Sequence, residues 1–303
     1  MAQLHSSERP LALIVALTAA AALTVSTAFG QAVDWIGFMP GIAPGVLLAG
    51  LGLYLRHHDN RPKFSNFLVS VGAYVLFGAF MSVTIFCFFP VLYPTIDHQL
   101  FRFDAVIGYD WRAAVAWAAQ MPLVGKLMGL TYHSSLWQII AVLAVLSALG
   151  RTERQNAFLL AGFVALTAAL GVWIVFPSFG PAAYLTVPAT QTDAIGLIVN
   201  PAYGATLMDY ATNGIPVIGP QTIIGAIAFP SFHTVMLCLI LWYARKTPAF
   251  WPLVVVNILM VPAILIHGGH HVADVFGGIG ASAASILVAS RKTMPTADAQ
   301  LAA

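Results

Sequence analysis

Toward the end of the sequence, His270 and Asp274 stand four residues apart within His267-Gly268-Gly269-His270-His271-Val272-Ala273-Asp274. On a helix, positions i and i+4 share one face, so Asp274 can accept the imidazole N–H of His270. An imidazole held in one tautomer by a carboxylate can attack phosphorus, and the carboxylate stabilises the cation that results. A second histidine, His233, follows Phe229-Pro230-Ser231-Phe232. Pro230 and Ser231 are helix-start signals, with Ser231 the expected N-cap, and the free amides and dipole of such a start favour an anion. Histidine is also the side chain whose pKa lies nearest neutrality, as proton transfer in both directions requires. The chemistry these residues suit is phosphoester cleavage or transfer, with His270, His233 and Asp274 as the catalytic set. Three other readings stay open. The His270/Asp274 pair is a structural hydrogen bond; or His267, His270, His271 and Asp274 hold a metal, against which the helix-breaking Gly268-Gly269 speaks; or the set is a proton relay in a transporter. Phe176-Pro177-Ser178-Phe179 echoes Phe229-Pro230-Ser231-Phe232, but four residues are too few to establish the internal repeat a transporter often shows.

The elements that must position these residues are membrane helices. Of 303 residues, 59% are hydrophobic and 8% charged, against about 25% charge in an ordinary soluble domain. Apolar windows place eight helices at about 11–30, 36–55, 67–89, 129–149, 157–176, 231–244, 249–267 and 270–289. The expected fold class is therefore an all-α integral membrane protein with about eight transmembrane helices. With the N-terminus inside, ten of the 13 cations (Arg9, Arg56, Arg61, Lys63, Arg151, Arg154, Arg245, Lys246, Arg291 and Lys292) fall in cytoplasmic segments, leaving Arg102, Arg112 and Lys126 outside. Both termini are then cytoplasmic, and both histidine motifs fall on the opposite face. Arg9, an apolar run and the small residues Ala28 and Gly30 also fit a cleavable signal peptide, although the run is longer than the usual ~7 to 15 residues. On the outer side, Leu100, Phe103, Ile107 and Trp111 recur at helical spacing and predict an amphipathic interfacial helix within 90–128. Residues 177–228, rich in Gly, Pro and Thr and without Lys or Arg, predict an ordered cap that includes Tyr184, Tyr203 and Tyr210. Cys87 and Cys238 lie in apolar runs and read as small buried side chains. A net charge of +2, with no dense Lys/Arg cluster, points to no nucleic-acid partner.

Pro230-Ser231-Phe232-His233 and His270-x-x-x-Asp274 resemble the second and third signature motifs of the type 2 phosphatidic acid phosphatase superfamily. They are nearest its inositol phosphorylceramide synthase-like (inositolphosphotransferase) branch. There the glycine of the Pro-Ser-Gly-His form is often replaced and a His-Tyr pair commonly precedes the aspartate, where this chain has His270-His271. Asp97, Leu100, Asp104 and Gly108, at their spacing, also resemble that branch. The likeness implies a six-helix catalytic core at 67–292, preceded by two added helices at 1–66 and followed by a short cytoplasmic tail at 293–303. It implies a metal-independent, two-step reaction: His270 attacks the phosphoryl group to give a phosphohistidine, and His233 protonates the leaving oxygen, then activates water or an acceptor alcohol. No cofactor and no metal are expected. The expected partners are a membrane lipid substrate and, for transfer, a polyol or other alcohol acceptor. The expected setting is a bacterial inner membrane with the site on the periplasmic face. The family's first motif usually supplies a Lys and an Arg, and its third an Arg. This chain has none of these: no Lys or Arg occurs between Arg154 and Arg245, Ile264 stands where the third-motif Arg is expected, and 176–184 keeps proline and tyrosine without charge. Phosphate would then be held by backbone amides at Ser231, by Tyr184, and by His267 or His271 if protonated. A lipid phosphatase is the expected activity. The alternatives are an inositolphosphotransferase-like headgroup transferase and a non-catalytic or transport protein retaining the His/Asp set.

Overall fold

A computed structural model of the protein describes residues 4–58 and 61–293. The tail expected at 293–303 lies, from 294 onward, outside the described residues. Among the described residues the regular structure is helical, and β-pairing is confined to one isolated bridge between Val33 and Ile218. Thirteen α-helices run in the order α1 (Arg9–Ala28), α2 (Trp35–His58), α3 (Pro62–Phe86), α4 (Asp97–Ile107), α5 (Trp111–Ala119), α6 (Pro122–Ala148), α7 (Thr152–Val175), α8 (Ala189–Ile195), α9 (Pro201–Asn213), α10 (Phe232–Ala244), α11 (Phe250–Asn257), α12 (Met260–Ile266) and α13 (Val272–Thr293). α1, α2, α3, α6, α7 and α13 are long and apolar enough to cross a membrane. Each of the eight apolar segments read from the sequence is a helix, or a pair of helices, in the structure.

Two of the eight are short. α10 has 13 residues, a rise of about 20 Å against ~30 Å of hydrocarbon. The seventh segment breaks into α11 and α12 at Ile258 and Leu259. Pro262, four residues after Ile258, has no N–H to give that carbonyl and its ring would collide with it. The long helices α6, α7 and α13 pack against α10, α3 packs on α6 and α7, and α13 lies along α7. Ahead of α1, Glu8 is buried and takes a bidentate contact from Arg56, at 2.7 and 2.8 Å, which ties α2 to the start of α1. Arg56 also reaches Asn66 at the start of α3.

The 90–128 segment departs from the expected single amphipathic helix. Gly108, with φ of 75°, ends α4 in the left-handed conformation and the chain restarts as α5, capped by Asp110. The buried residues of α4 are Asp97, Leu100 and Asp104, whereas Phe103, Val106 and Ile107 are exposed. The polar side of this helix thus faces the protein, because it has buried partners there. The 177–228 segment is ordered by α8 and α9 and by the hydrogen bonds of Tyr203 with Gly225.

α2 and α3 approach so closely that a Cβ at Gly72 would sit 2.6 Å from the Gly45 carbonyl oxygen and 2.7 Å from the Ala49 nitrogen. Gly72→Leu should therefore cost about 1–3 kcal/mol through overpacking. Thermal unfolding of the detergent-solubilised protein should show a lowered midpoint for Gly72→Leu. Gly50→Leu, where a Cβ meets nothing within 4 Å, should leave it unchanged.

Candidate active site

The site forms where the ends of α10, α12 and α13 meet the outer segments. Ser231 is the N-cap of α10 and accepts the Thr234 amide at 3.4 Å. Its own amide donates to the Asp274 carbonyl at 3.0 Å, so the start of α10 is pinned to the first turn of α13. His270 and His271 occupy the turn into α13.

His270 Nδ1 lies 3.0 Å from Asp274 Oδ2, and the same oxygen accepts the His271 amide at 2.9 Å. An ionised carboxylate only accepts, so this contact requires the proton on Nδ1 and leaves the lone pair on Nε2. Nε2 faces Ser231 Oγ at 3.3 Å. His233, one residue inside α10, stacks on Tyr132 of α6 with ring centres 3.8 Å apart and planes 18° from parallel. His233 and His270 border one cavity of about 180 Å³, with Tyr132, Tyr203, Phe232, Gly268 and residues 225–228 among its walls. No Lys, Arg, Asp or Glu lines it.

The other residues expected in the site point elsewhere. His271 Nδ1 contacts Asp104 Oδ2 at 2.6 Å, its Nε2 lies 3.6 Å from Asp97 Oδ1, and Phe101 packs edge-on to its ring at 4.6 Å. Tyr184 donates to Asp97 Oδ2 at 3.0 Å and meets the Thr95 hydroxyl at 2.9 Å. His267 is fully buried with Nε2 2.8 Å from the Gly125 carbonyl, while its Nδ1 has no hydrogen-bond partner among the described residues. None of these three lines the cavity. Of the four residues of the metal reading, His270 and Asp274 are bonded to each other while His267 and His271 turn to Gly125 and Asp104, and no group of three or more His, Cys, Asp or Glu among the described residues could hold a metal ion.

What the sequence reading missed is the clasp behind the site. Asp97 and Asp104 lie seven residues apart on one face of α4. Asp97 accepts the amides of Phe179, at 3.0 and 3.1 Å, and Gly180, at 2.8 Å, while Asp104 accepts His271 and the Val272 amide at 3.0 Å. The two carboxylates thus hold the 179–180 loop and the His270-His271 turn at once. Gly180 and Gly269 both have positive φ and meet there, because a Cβ on Gly180 would overlap the Gly269 carbonyl. Tyr132 was missed as well, and its only sequence signal is a polar aromatic inside an apolar run.

Here, then, is an all-helical integral membrane protein with a His/Asp pair and a second histidine at one cavity. The sequence profile of the PAP2 superfamily matches residues 98–288, more than half of the chain, and the protein belongs to that superfamily. Membership supports a phosphatase-like enzyme activity in general terms. The match covers α4 to α12 and most of α13, and leaves α1–α3 outside. No curated protein and no solved structure matches the chain.

Burial alone pushes the His271 imidazole down, but the Asp104 and Asp97 carboxylates outweigh it, and with Asp274 raise the pKa to about 9. A group raised on folding stabilises fully below its ordinary value near 6.5, and that contribution is lost as pH rises through about 9. Thermal unfolding of the wild type should therefore weaken between pH 7 and 10. That slope should disappear in His271→Gln, which is neutral throughout.

Proposed function

We propose that this protein is a membrane phosphatase or phosphotransferase that acts on a lipid phosphate or phospholipid through a phosphohistidine at His270. The observation that carries the reading is the arrangement of two histidines on one cavity, one of them fixed through Nδ1 by a buried carboxylate. In the first step His270 Nε2 forms a bond to phosphorus, the bond to the leaving oxygen breaks, and His233 gives that oxygen its proton. In the second, His233 takes a proton from water or an alcohol, whose oxygen attacks phosphorus as the N–P bond breaks. Asp274 stays ionised and stabilises the imidazolium side of each step. No metal or cofactor enters this scheme. Ser231 holds Nε2 in place until substrate displaces its hydroxyl. The catalytic unit is 67–292, with 1–66 as an addition, and the site faces the periplasm with both termini cytoplasmic. The charge map supports that orientation.

A specific observation favours the headgroup-transferase reading, nearest the inositolphosphotransferase branch. The cavity offers no cation, and Arg102, Arg112 and Lys126 are exposed away from its lining. A dianionic phosphomonoester would therefore meet imidazoles, tyrosines and apolar residues, with no Lys or Arg among the lining residues. A phosphodiester carries one charge and is less penalised by such a site. From a diester, His270 takes the phosphoryl group with one of its ester substituents and expels the other as an alcohol; transfer to a polyol or lipid hydroxyl then gives a new diester.

Purified protein incubated with phosphatidic acid or phosphatidylinositol, with and without polyols, should give free phosphate or a transferred headgroup by mass spectrometry. His270→Ala and His233→Ala should lower turnover by about 10²-fold or more, and Asp274→Asn should lower it strongly with the fold intact. Wild-type turnover in His270→Ala would contradict the mechanism.

A further inference from the structure

Beneath the histidine cavity the helices part again. An apolar cavity of about 350 Å³ lies between α3, α6, α7 and α10, and Ser82, Ile85, Leu166 and Phe232 border both spaces. Its walls run from Ile85 to Tyr74 on α3 and from Leu166 to Phe158 on α7. At 1.5 Å per residue these are depths of about 16 and 12 Å. Half of a ~30 Å hydrocarbon core is about 15 Å, the depth of one leaflet. The walls offer little hydrogen bonding, since the Ser82 hydroxyl is already given to the Gly78 carbonyl at 2.8 Å. At its side Leu136 of α6 is 54% exposed, open toward the bilayer.

Two glycines keep the space open. A Cβ at Gly78 would meet nothing within 4 Å, and one at Gly162 only Leu239 Cδ1 at 3.9 Å. Both lie inside helices, where glycine costs about 0.5–1 kcal/mol relative to alanine, and neither is needed for close helix packing.

We infer that this cavity is the binding slot for one hydrocarbon chain of the lipid substrate, entered sideways between α3 and α6, with the lipid phosphate at His233 and His270. The inference rests on the lipid reading above. A chain leaving bilayer for slot stays in apolar surroundings, so burial adds little affinity. The slot instead orients the headgroup against the histidines, an effect that acts on turnover.

Phosphatidic acid carrying a diazirine near the end of one long acyl chain, reconstituted with the protein in nanodiscs and irradiated, tests this without requiring turnover. The expected labels are on 74–78 of α3 and 158–162 of α7, displaced by unlabelled long-chain phosphatidic acid and unchanged in His270→Ala. Gly78→Phe should cut that labelling about tenfold or more by filling the slot, and Gly162→Leu provides the same test if Gly78→Phe does not fold. Competition by an isoprenoid phosphate better than by phosphatidic acid would assign the slot to a prenyl chain. Label scattered over the lipid-facing helices, or label indifferent to both glycine variants, would overturn the slot. Correct labelling in a protein whose His270→Ala variant still turns over would leave the slot standing and remove the phosphohistidine reading.

Discussion

The buried carboxylate of Asp274 is the constraint on which the rest of this structure depends. A charge taken out of water costs several kcal/mol unless it is paired and hydrogen-bonded. Asp274 meets part of that demand on Oδ2, which receives His270 Nδ1 and the His271 amide, while Oδ1 has no hydrogen-bond partner among the described residues. The same contacts fix the His270 tautomer, the course of the turn and the start of α13. The Asp274 carbonyl then takes the Ser231 amide, which sets where α10 begins and hence where His233 stands. One residue's main chain and side chain therefore place both histidines.

The short length of α10 follows from the same geometry. Its ~20 Å rise is about 10 Å less than a full crossing, and the difference leaves room above His233 for the loop and helices of 177–228. Behind the turn, α4 supplies two carboxylates whose imidazole partner among the described residues is His271. Without that imidazole, Asp97 and Asp104 would be two buried like charges without the ring they share. The positive charge nearest the site is thus consumed in holding the frame, and the cavity itself is left with neutral donors. The absence of Lys and Arg from that lining is what the proposal of a singly charged substrate rests on.

Helix positions were legible in the sequence because the membrane imposes a strong requirement: a run of apolar residues must satisfy its own backbone, and helices do so. The His270/Asp274 pair was legible because residues four apart can meet across one helical turn, although His270 itself stands in the turn before α13. His267, His271 and Tyr184 were not, since a histidine or tyrosine near a motif can turn to either side and only its partners decide. For His267 the partner is a carbonyl 142 residues away, on α6. For His271 it is Asp104, 167 residues away, on a helix whose periodicity predicts an amphipathic interfacial element without naming a partner for its polar side. The burial of Asp97 and Asp104, with Phe103 and Ile107 exposed, is decided by tertiary contacts that no local pattern reports.

The central claim, that His270 carries the phosphoryl group, is tested most directly by alkaline quench of the enzyme during turnover of a lipid substrate, followed by peptide mass spectrometry. Phosphoramidates survive alkali, and the account predicts a phosphoryl adduct on His270 that is absent from His270→Ala. Turnover with no adduct at His270, or with the adduct on another residue, would contradict it.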